Sequence, residues 1–99
     1  MQGIAMLREV LGEDPDNELA LFNMGMLSIQ SGQYPRAVDY LKKLTAINPA
    51  HVQGQLLYGI ALMNTGDREG ARAQFEKVKK MDEDPAVQAT VDSYLNDLK

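Results

Sequence analysis

Histidine and cysteine, the side chains that most often carry nucleophilic or metal chemistry, are almost absent from this sequence. Cysteine does not occur, and the single histidine is His51. A nucleophile needs a neighbouring base, so the only catalytic triad that this chain could build would have to include His51. His51 follows Asn48 and Pro49 in a predicted turn, where a solvated histidine near a helix start is the ordinary interpretation. The sequence therefore predicts a protein that is not an enzyme.

Metal and cofactor sites are not indicated either. The lack of cysteine excludes thiolate ligands and disulfides, and one histidine excludes a multi-histidine zinc site. Residues 14–18 carry three carboxylates, but the sixth and twelfth positions of the calcium loop that they could begin are Leu19 and Gly25. The segment from Gly54 to Gly59 shares only its glycines with a phosphate-binding loop. We expect no cofactor, and we assign the acidic residues to helix capping.

Composition and charge describe one small acidic domain. The chain has 99 residues, with 14 acidic and 10 basic side chains and a formal net charge of -4. This excess of carboxylates opposes attraction to nucleic acid or anionic lipid, so we expect neither as a partner. The longest apolar run covers residues 56–63, far short of the roughly 20 residues that span a bilayer. The first residues lack the pattern of a signal peptide, and no direct membrane insertion is predicted.

Five lysines lie toward the ends of predicted helices, where acidic turns follow. These positions complement the negative end of a helix. A basic binding patch is the alternative interpretation, which the interleaved acidic residues disfavour. The five are Lys42, Lys43, Lys77, Lys79 and Lys80.

The chain repeats itself with a period of 34 residues. A shift by this period aligns Leu7 with Leu41, and it also aligns two pairs of glycines, one pair of prolines and one pair of alanines. Those pairs are Gly25 and Gly59, Gly32 and Gly66, Pro15 and Pro49, and Ala37 and Ala71. Such matches rarely arise by chance, because each of these residue types has its own backbone or packing role. A fixed period indicates structural units that stack on one another.

Each period contains two helical stretches separated by turn residues. Apolar residues recur at spacings of three and four, and no strand alternation or hairpin signal is present. Gly32 and Gly66 suit the left-handed position at a helix end, Pro35 suits a first turn, and Pro49 stops the helix before it. We therefore predict an all-α fold of six helices in antiparallel pairs, starting near residues 2, 17, 35, 52, 68 and 86.

The repeated positions resemble the tetratricopeptide repeat family, whose unit carries W-x2-L-G-x2-Y, then A-x3-F, then P. The matching residues are Leu21, Met24, Gly25, Ser28, Ala37, Leu41 and Pro49 in the first copy, and Gln55, Tyr58, Gly59, Leu62, Ala71 and Phe75 in the second. In the second copy the proline is Pro85, two residues after the position that the 34-residue period predicts from Pro49. The tryptophan is missing from both copies, and Gln55 at its place indicates a partly solvated position.

The resemblance implies a right-handed superhelix of antiparallel helix pairs. Within each pair, we expect the small residues to face each other, Gly25 against Ala37 and Gly59 against Ala71. The register gives two full units, residues 18–51 and 52–85, between the second helix of a partial unit at residues 1–14 and a C-terminal capping helix at residues 86–99. The predicted stripes of these end helices are Ile4, Leu7, Val10 and Leu11, and Val91, Tyr94, Leu95 and Leu98.

A start in mid-unit is awkward for a natural N-terminus, so we expect an excised domain. The alternative is a short natural protein whose first helix packs against a partner or against a second copy of the chain.

One apolar pattern is not part of the family motif. It occurs on the first helix of each full unit with the same i, i+4, i+7 spacing, and comprises Phe22, Met26, Ile29, Leu56, Ile60 and Met63. First helices line the concave surface in the family, so the resemblance implies that these residues form the floor of a groove. Burial between neighbouring first helices is the alternative. The leading hypothesis is a scaffold that binds a peptide or helix of a partner protein, and self-assembly is the second.

The resemblance also bears on the type of ligand. Some family members bind acidic chaperone C-termini through a clamp of lysine, asparagine and arginine side chains on first helices. The matching positions here are Phe22, Met26, Leu57, Ala89 and Ser93, none of which can hold a carboxylate by charge. An acidic domain with an apolar groove is expected to prefer an apolar or basic amphipathic segment.

Overall fold

Six α-helices and no strands make up the described part of the chain. The computed structural model describes residues 2–99, with side chains from Ala5 onward. The helices are α1 (Gln2–Glu13), α2 (Glu18–Gln30), α3 (Tyr34–Ile47), α4 (Val52–Thr65), α5 (Arg68–Met81) and α6 (Pro85–Asp97). Each begins within one residue of its predicted start, so the all-α prediction is confirmed. Met1 and the side chain of Ile4, which belong to the predicted first helix, lie outside the described residues.

Capping side chains and glycines set the helix boundaries, as the sequence predicted. Side chains of Asn17, His51, Asp67 and Asp84 accept hydrogen bonds from backbone N–H groups at the starts of α2, α4, α5 and α6. Gly66 ends α4 with a φ of 93°, and Gly32 follows α2 with a φ of 76°. Only glycine adopts such values without strain, so these two positions fix where the chain reverses direction.

Consecutive helices pack side by side into an elongated body of 39 × 24 × 20 Å. We call α2, α4 and α6 the first helices and α1, α3 and α5 the second helices. The interior has two adjoining apolar clusters, one centred on the α2–α3 pair and one on the α4–α5 pair. The first cluster comprises Leu21, Ala37, Leu41, Leu44 and Ala61, and the second comprises Leu62, Ala71, Phe75, Val78, Val91 and Leu98.

Two glycines allow the paired helices to approach closely. A Cβ atom at Gly25 would lie 2.6 Å from Cγ of Leu41, and one at Gly59 would lie 2.8 Å from Cε1 of Phe75. The three atoms nearest to each of these Cβ positions belong to Leu41 and Phe75, one helical turn after Ala37 and Ala71, and the contact of each glycine with its alanine stays a prediction. The alanines are fully buried, but the large side chain that follows each of them fills the space that the glycine leaves.

The expectation that Gln55 is partly solvated is wrong, because the residue is buried. The residue is 1% exposed, and its Nε2 donates to the carbonyl of Pro49 at 3.1 Å. Its Oε1 accepts no hydrogen bond from the described residues. A carbonyl in the α3–α4 turn thus provides the partner that lets an amide replace a large apolar residue there.

Helix α6 closes the second cluster, as a capping helix would. Val91 and Leu98 are buried, while Tyr94 and Leu95 pack against the cluster from partly exposed positions. The Tyr94 ring stacks on Phe75 with centroids 5.0 Å apart. The guanidinium of Arg72 on α5 donates to the carbonyl of Leu98 at 2.9 Å. Both contacts join the stretch of α5 between Arg72 and Phe75 to the C-terminal end of α6.

Candidate protein-binding surface

The six apolar residues singled out on the first helices all occupy half-buried positions. We call this set the first-helix row: Phe22, Met26 and Ile29 on α2, and Leu56, Ile60 and Met63 on α4. Phe22 and Ile29 pack against the first cluster, and the three residues of α4 pack against the second. All six side chains thus keep exposed surface, and all except Met26 also pack against one of the two clusters.

The row exists because both first helices are apolar on two faces. The face of α2 toward its partner helix buries Leu21, Met24, Gly25 and Ser28. Each residue of the row on α2 lies one position after a residue of that face, and the cluster against which Phe22 and Ile29 pack includes Ala61 of α4. The row is thus partly covered by the clusters, which contain residues of α4 and α6, and whether its exposed part forms the floor of a groove stays a prediction.

His51 belongs to this surface, and sequence reasoning missed it. Its Nδ1 accepts a hydrogen bond of 2.8 Å from the backbone N–H of Gly54, which makes the imidazole the N-cap of α4. Its ring also lies 5.2 Å from the ring of Phe22, centroid to centroid, at an angle of 35°. The histidine is half-buried rather than simply solvated, and it joins the start of α4 to the row. Its position directly before an apolar helix was the available signal.

The positions that correspond to a carboxylate clamp carry no cation. Phe22, Met26 and Leu57 are half-buried apolar residues, and Ala89 and Ser93 are exposed on α6. None of these five side chains is charged, so none can form an ion pair with a carboxylate. The surface can therefore contribute apolar contact area, but it lacks the charge that an acidic peptide requires.

The lysines lie elsewhere, on the second helices. Lys43 pairs with Asp16 at 3.6 Å and Lys79 pairs with Asp92 at 2.7 Å, all four side chains being substantially exposed. Lys79 and Lys80 occupy the last turn of α5 and complement its negative end, whereas α3 has no basic residue in its last turn. Exposed pairs of this kind typically contribute less than about 1 kcal/mol to stability. They are best explained by local charge matching.

Tyr58 is the titratable group that the fold perturbs clearly. Burial, and secondly the carboxylate of Asp67, raise the pKa of its hydroxyl above the ordinary value. The phenol therefore stays neutral at physiological pH and adds no charge between the two clusters.

Among residues 2–99, no helix combines the length and apolar character that crossing a bilayer requires. In the same residues, no group of three or more histidine, cysteine, aspartate or glutamate side chains is arranged to hold a metal ion.

Known proteins share both the sequence pattern and the fold. The family model described as tetratricopeptide repeat matches residues 2–50 and 28–92. TPR repeat-containing protein PA0015 of Pseudomonas aeruginosa is 31% identical over 71 residues, which cover 72% of this chain and 68% of that protein. Protein O-mannosyl-transferase TMTC3 of Homo sapiens is 32% identical over 77 residues, or 77% of this chain and 8% of that protein. The chain thus spans only a small part of TMTC3.

Among solved structures, the first TPR of Spaghetti (RPAP3), bound to the HSP90 peptide SRMEEVD, superposes with a TM-score of 0.84 at 16% identity. The superposition covers 96% of this chain and 76% of that one. The shared architecture is the tetratricopeptide solenoid, a right-handed superhelix of antiparallel helix pairs. With the family pattern matched along most of its length and the same helical architecture observed, this chain belongs to the tetratricopeptide repeat family.

Proposed function

We propose that this domain is a non-enzymatic scaffold that binds a peptide or helix of a partner protein along the first-helix row. The observation that carries the proposal is the recurrence of half-buried apolar side chains at the same three positions of α2 and α4. Internal packing uses only part of this second apolar face, because every side chain of the row stays partly exposed. A solved protein of the same fold is bound to a peptide, which supports a peptide or protein as the partner class.

The chemistry of the row favours an apolar or basic amphipathic segment. Its side chains gain affinity by burying apolar area, and methionines such as Met26 and Met63 adapt to different ligand shapes. The net charge of -4 adds a long-range attraction for basic segments. An acidic tail would find no cation at the clamp positions and would be repelled by the net charge.

Calorimetry with two synthetic peptides tests the proposal. The first is an amphipathic helix of leucine and lysine with leucines at i, i+3, i+4 spacing, and the second is the acidic tail SRMEEVD. We expect the first to bind with a Kd on the order of 10 µM, weakening as salt is added, and the second to give no measurable heat. Micromolar affinity for the acidic tail would reject the apolar groove.

Substitutions locate the binding surface. Phe22→Ser combined with Leu56→Ser should weaken binding of the basic peptide at least about tenfold, equivalent to about 1.4 kcal/mol. Met26→Lys provides a variant that is easier to fold, because Met26 packs in neither cluster. Leu19→Ser is the matched control, since Leu19 lies on α2 but is 70% exposed and outside the row. Normal binding by the folded row variants would refute the proposal.

Self-assembly is the second candidate, and exposed apolar residues on α1 favour it. Met6 is 65% exposed and Val10 is 37% exposed. Sedimentation at several concentrations separates the two functions, because only self-assembly makes the mass rise with concentration. A constant monomer mass would remove this candidate.

A further inference from the structure

A small cavity lies where α1, the end of α2 and the start of α3 meet. Its volume is about 40 Å³, which is room for a few water molecules or one tetrahedral anion, since a water molecule needs roughly 10–15 Å³ of such space. Two of its lining side chains carry guanidinium groups, Arg8 from α1 and Arg36 from the first turn of α3. We call it the α1–α3 cavity.

The cavity follows from the small size of Ser28, which lines it. The family pattern has tyrosine at this position. The equivalent residue 34 positions later is Leu62, which is buried in the second cluster. The hydroxyl of Ser28 turns back and donates to the carbonyl of Met24 at 2.7 Å, so it occupies little of the space that a larger side chain would take. The first unit therefore has room where the second unit is filled.

Neither guanidinium group of the cavity has a carboxylate partner among the described side chains, where both ion pairs involve lysine. The carbonyls that end α2 need no cation either. Those of Leu27, Ser28 and Ile29 accept hydrogen bonds from backbone N–H groups of the turn that follows. Ion pairing and capping of α2 thus leave the two arginines unexplained. Two like charges beside one small cavity repel each other, and an anion between them would offset this repulsion.

The start of α3 adds to the positive potential of the cavity. Gln33, which lines the cavity, stands at the N-cap position of α3, but its side chain makes no capping hydrogen bond. In the second unit, the equivalent Asp67 places a carboxylate at the helix start and accepts from the N–H of Gly70. Gly70 also stands at the position of Arg36. The first unit therefore combines an uncapped positive helix end with a cation, whereas the second unit has a carboxylate there.

A phosphate group suits these features better than a carboxylate. It is tetrahedral, carries close to two negative charges, and can accept bidentate hydrogen bonds from guanidinium groups on two sides. The hydroxyls of Ser28 and Ser31 already donate to backbone carbonyls, so the guanidinium groups and the Gln33 amide are the available donors. Met24 and Leu27 make part of the wall apolar, which suits the carbon atoms of a phosphorylated side chain.

We propose that the α1–α3 cavity binds the phosphate of a phosphorylated serine or threonine in a partner protein, held between Arg8 and Arg36. The net charge of -4 opposes nucleic acid and anionic membranes, which present many phosphates at once. A single phosphate is held by local contacts, because salt screens the long-range repulsion beyond about 8 Å. The cavity shares no residue with the first-helix row, so the inference is independent of the proposed function.

Titration of the chain followed by NMR tests the proposal with four probes. The peptide AASAA, blocked at both ends, is prepared with serine, phosphoserine or glutamate at its centre, and inorganic phosphate is the fourth probe. We expect the phosphoserine peptide to shift the backbone amides of Arg8 and Arg36 with a Kd on the order of 1 mM. The serine peptide should not bind. The glutamate peptide should bind at least about tenfold more weakly, and inorganic phosphate at least about threefold more weakly.

Substitutions locate the site. Arg8→Gln and Arg36→Gln should each weaken binding of the phosphoserine peptide at least about tenfold. Arg68→Gln is the matched control, because it removes the same charge from an exposed arginine outside the cavity. It should leave the Kd within about twofold. Ser28→Leu places the residue of the second unit in the cavity and should abolish binding, with circular dichroism confirming that the domain stays folded.

Four results would overturn the proposal. The first is that the phosphoserine peptide does not bind the unmodified chain. The second is equal weakening by Arg68→Gln, because net charge rather than the cavity would then set the affinity. The third is equal affinity for the serine or glutamate peptide, since no phosphate would then be required. The fourth is inorganic phosphate binding as tightly as the phosphoserine peptide, which would identify free phosphate rather than a phosphorylated partner as the ligand.

Discussion

Replacing Gly59 by alanine should destabilise this domain, although the same exchange stabilises most helices. The added methyl carbon would lie 2.8 Å from Cε1 and 3.0 Å from Cδ1 of Phe75. The Phe75 side chain has no exposed surface, and it stacks on Tyr94 with the ring planes 4° apart. The ring cannot move away without disturbing the α6 contact, so the helix pair must separate slightly or the ring must leave its preferred position.

The size of the effect follows from two opposing contributions. Alanine in a helix interior is favoured over glycine by about 1 kcal/mol. Overpacking a closed contact costs about 1 to 3 kcal/mol. The net destabilisation should therefore reach up to about 2 kcal/mol, and each 1 kcal/mol lowers Tm by roughly 4–8 °C in a domain of this size.

Gly12 offers a matched control on α1, because a Cβ there meets no atom within 4 Å. Gly12→Ala should raise stability by less than about 1 kcal/mol, since the residue lies near the helix end.

Thermal and urea unfolding followed by circular dichroism would measure the series. The expected order of Tm is Gly12→Ala above the unmodified chain, Gly59→Ala below it, and Gly59→Leu lowest. The urea m-value should stay constant for Gly59→Ala if the change acts on stability alone. If Gly59→Ala melts as high as Gly12→Ala, then Phe75 relaxes freely, and our explanation of the glycine is wrong.

Three further expectations concern other parts of the fold. Removing residues 85–99 should cause aggregation or a broad melting transition, because the second cluster loses Val91 and Leu98; a monomeric, equally stable product would contradict the capping role of α6. His51→Ala should cost about 0.5 to 2 kcal/mol in urea unfolding because α4 loses its N-cap, whereas His51→Asn should retain most of the stability; equal losses in both would exclude capping as the reason. Above pH 10.0, the raised pKa of Tyr58 means that the unfolded chain loses its phenol proton first, so stability falls as pH rises through the folded pKa. Tyr58→Phe should reduce this alkaline loss in pH-dependent melting, and an unchanged loss would assign it to other groups.

The sequence alone predicted the helices, their starts and the family, because these properties depend on local free energies repeated along the chain. Gly32 and Gly66 favour left-handed turns, Asn17 and Asp84 cap helix starts, and apolar spacing selects the helix. The first-helix row was also found from its repeated spacing. Whether a partner binds there stays a prediction.

Other features depended on how far each helix slides and rotates against its neighbour, which no local signal specifies. That geometry decided that Leu41 supplies the atoms nearest to Gly25, and that Gln55 is buried with its Nε2 donating to the carbonyl of Pro49. It brought His51 to Phe22 across 29 residues of sequence. It also left the first-helix row half-buried, because side-chain exposure is set by the distance between packed helices and not by the pattern on either one.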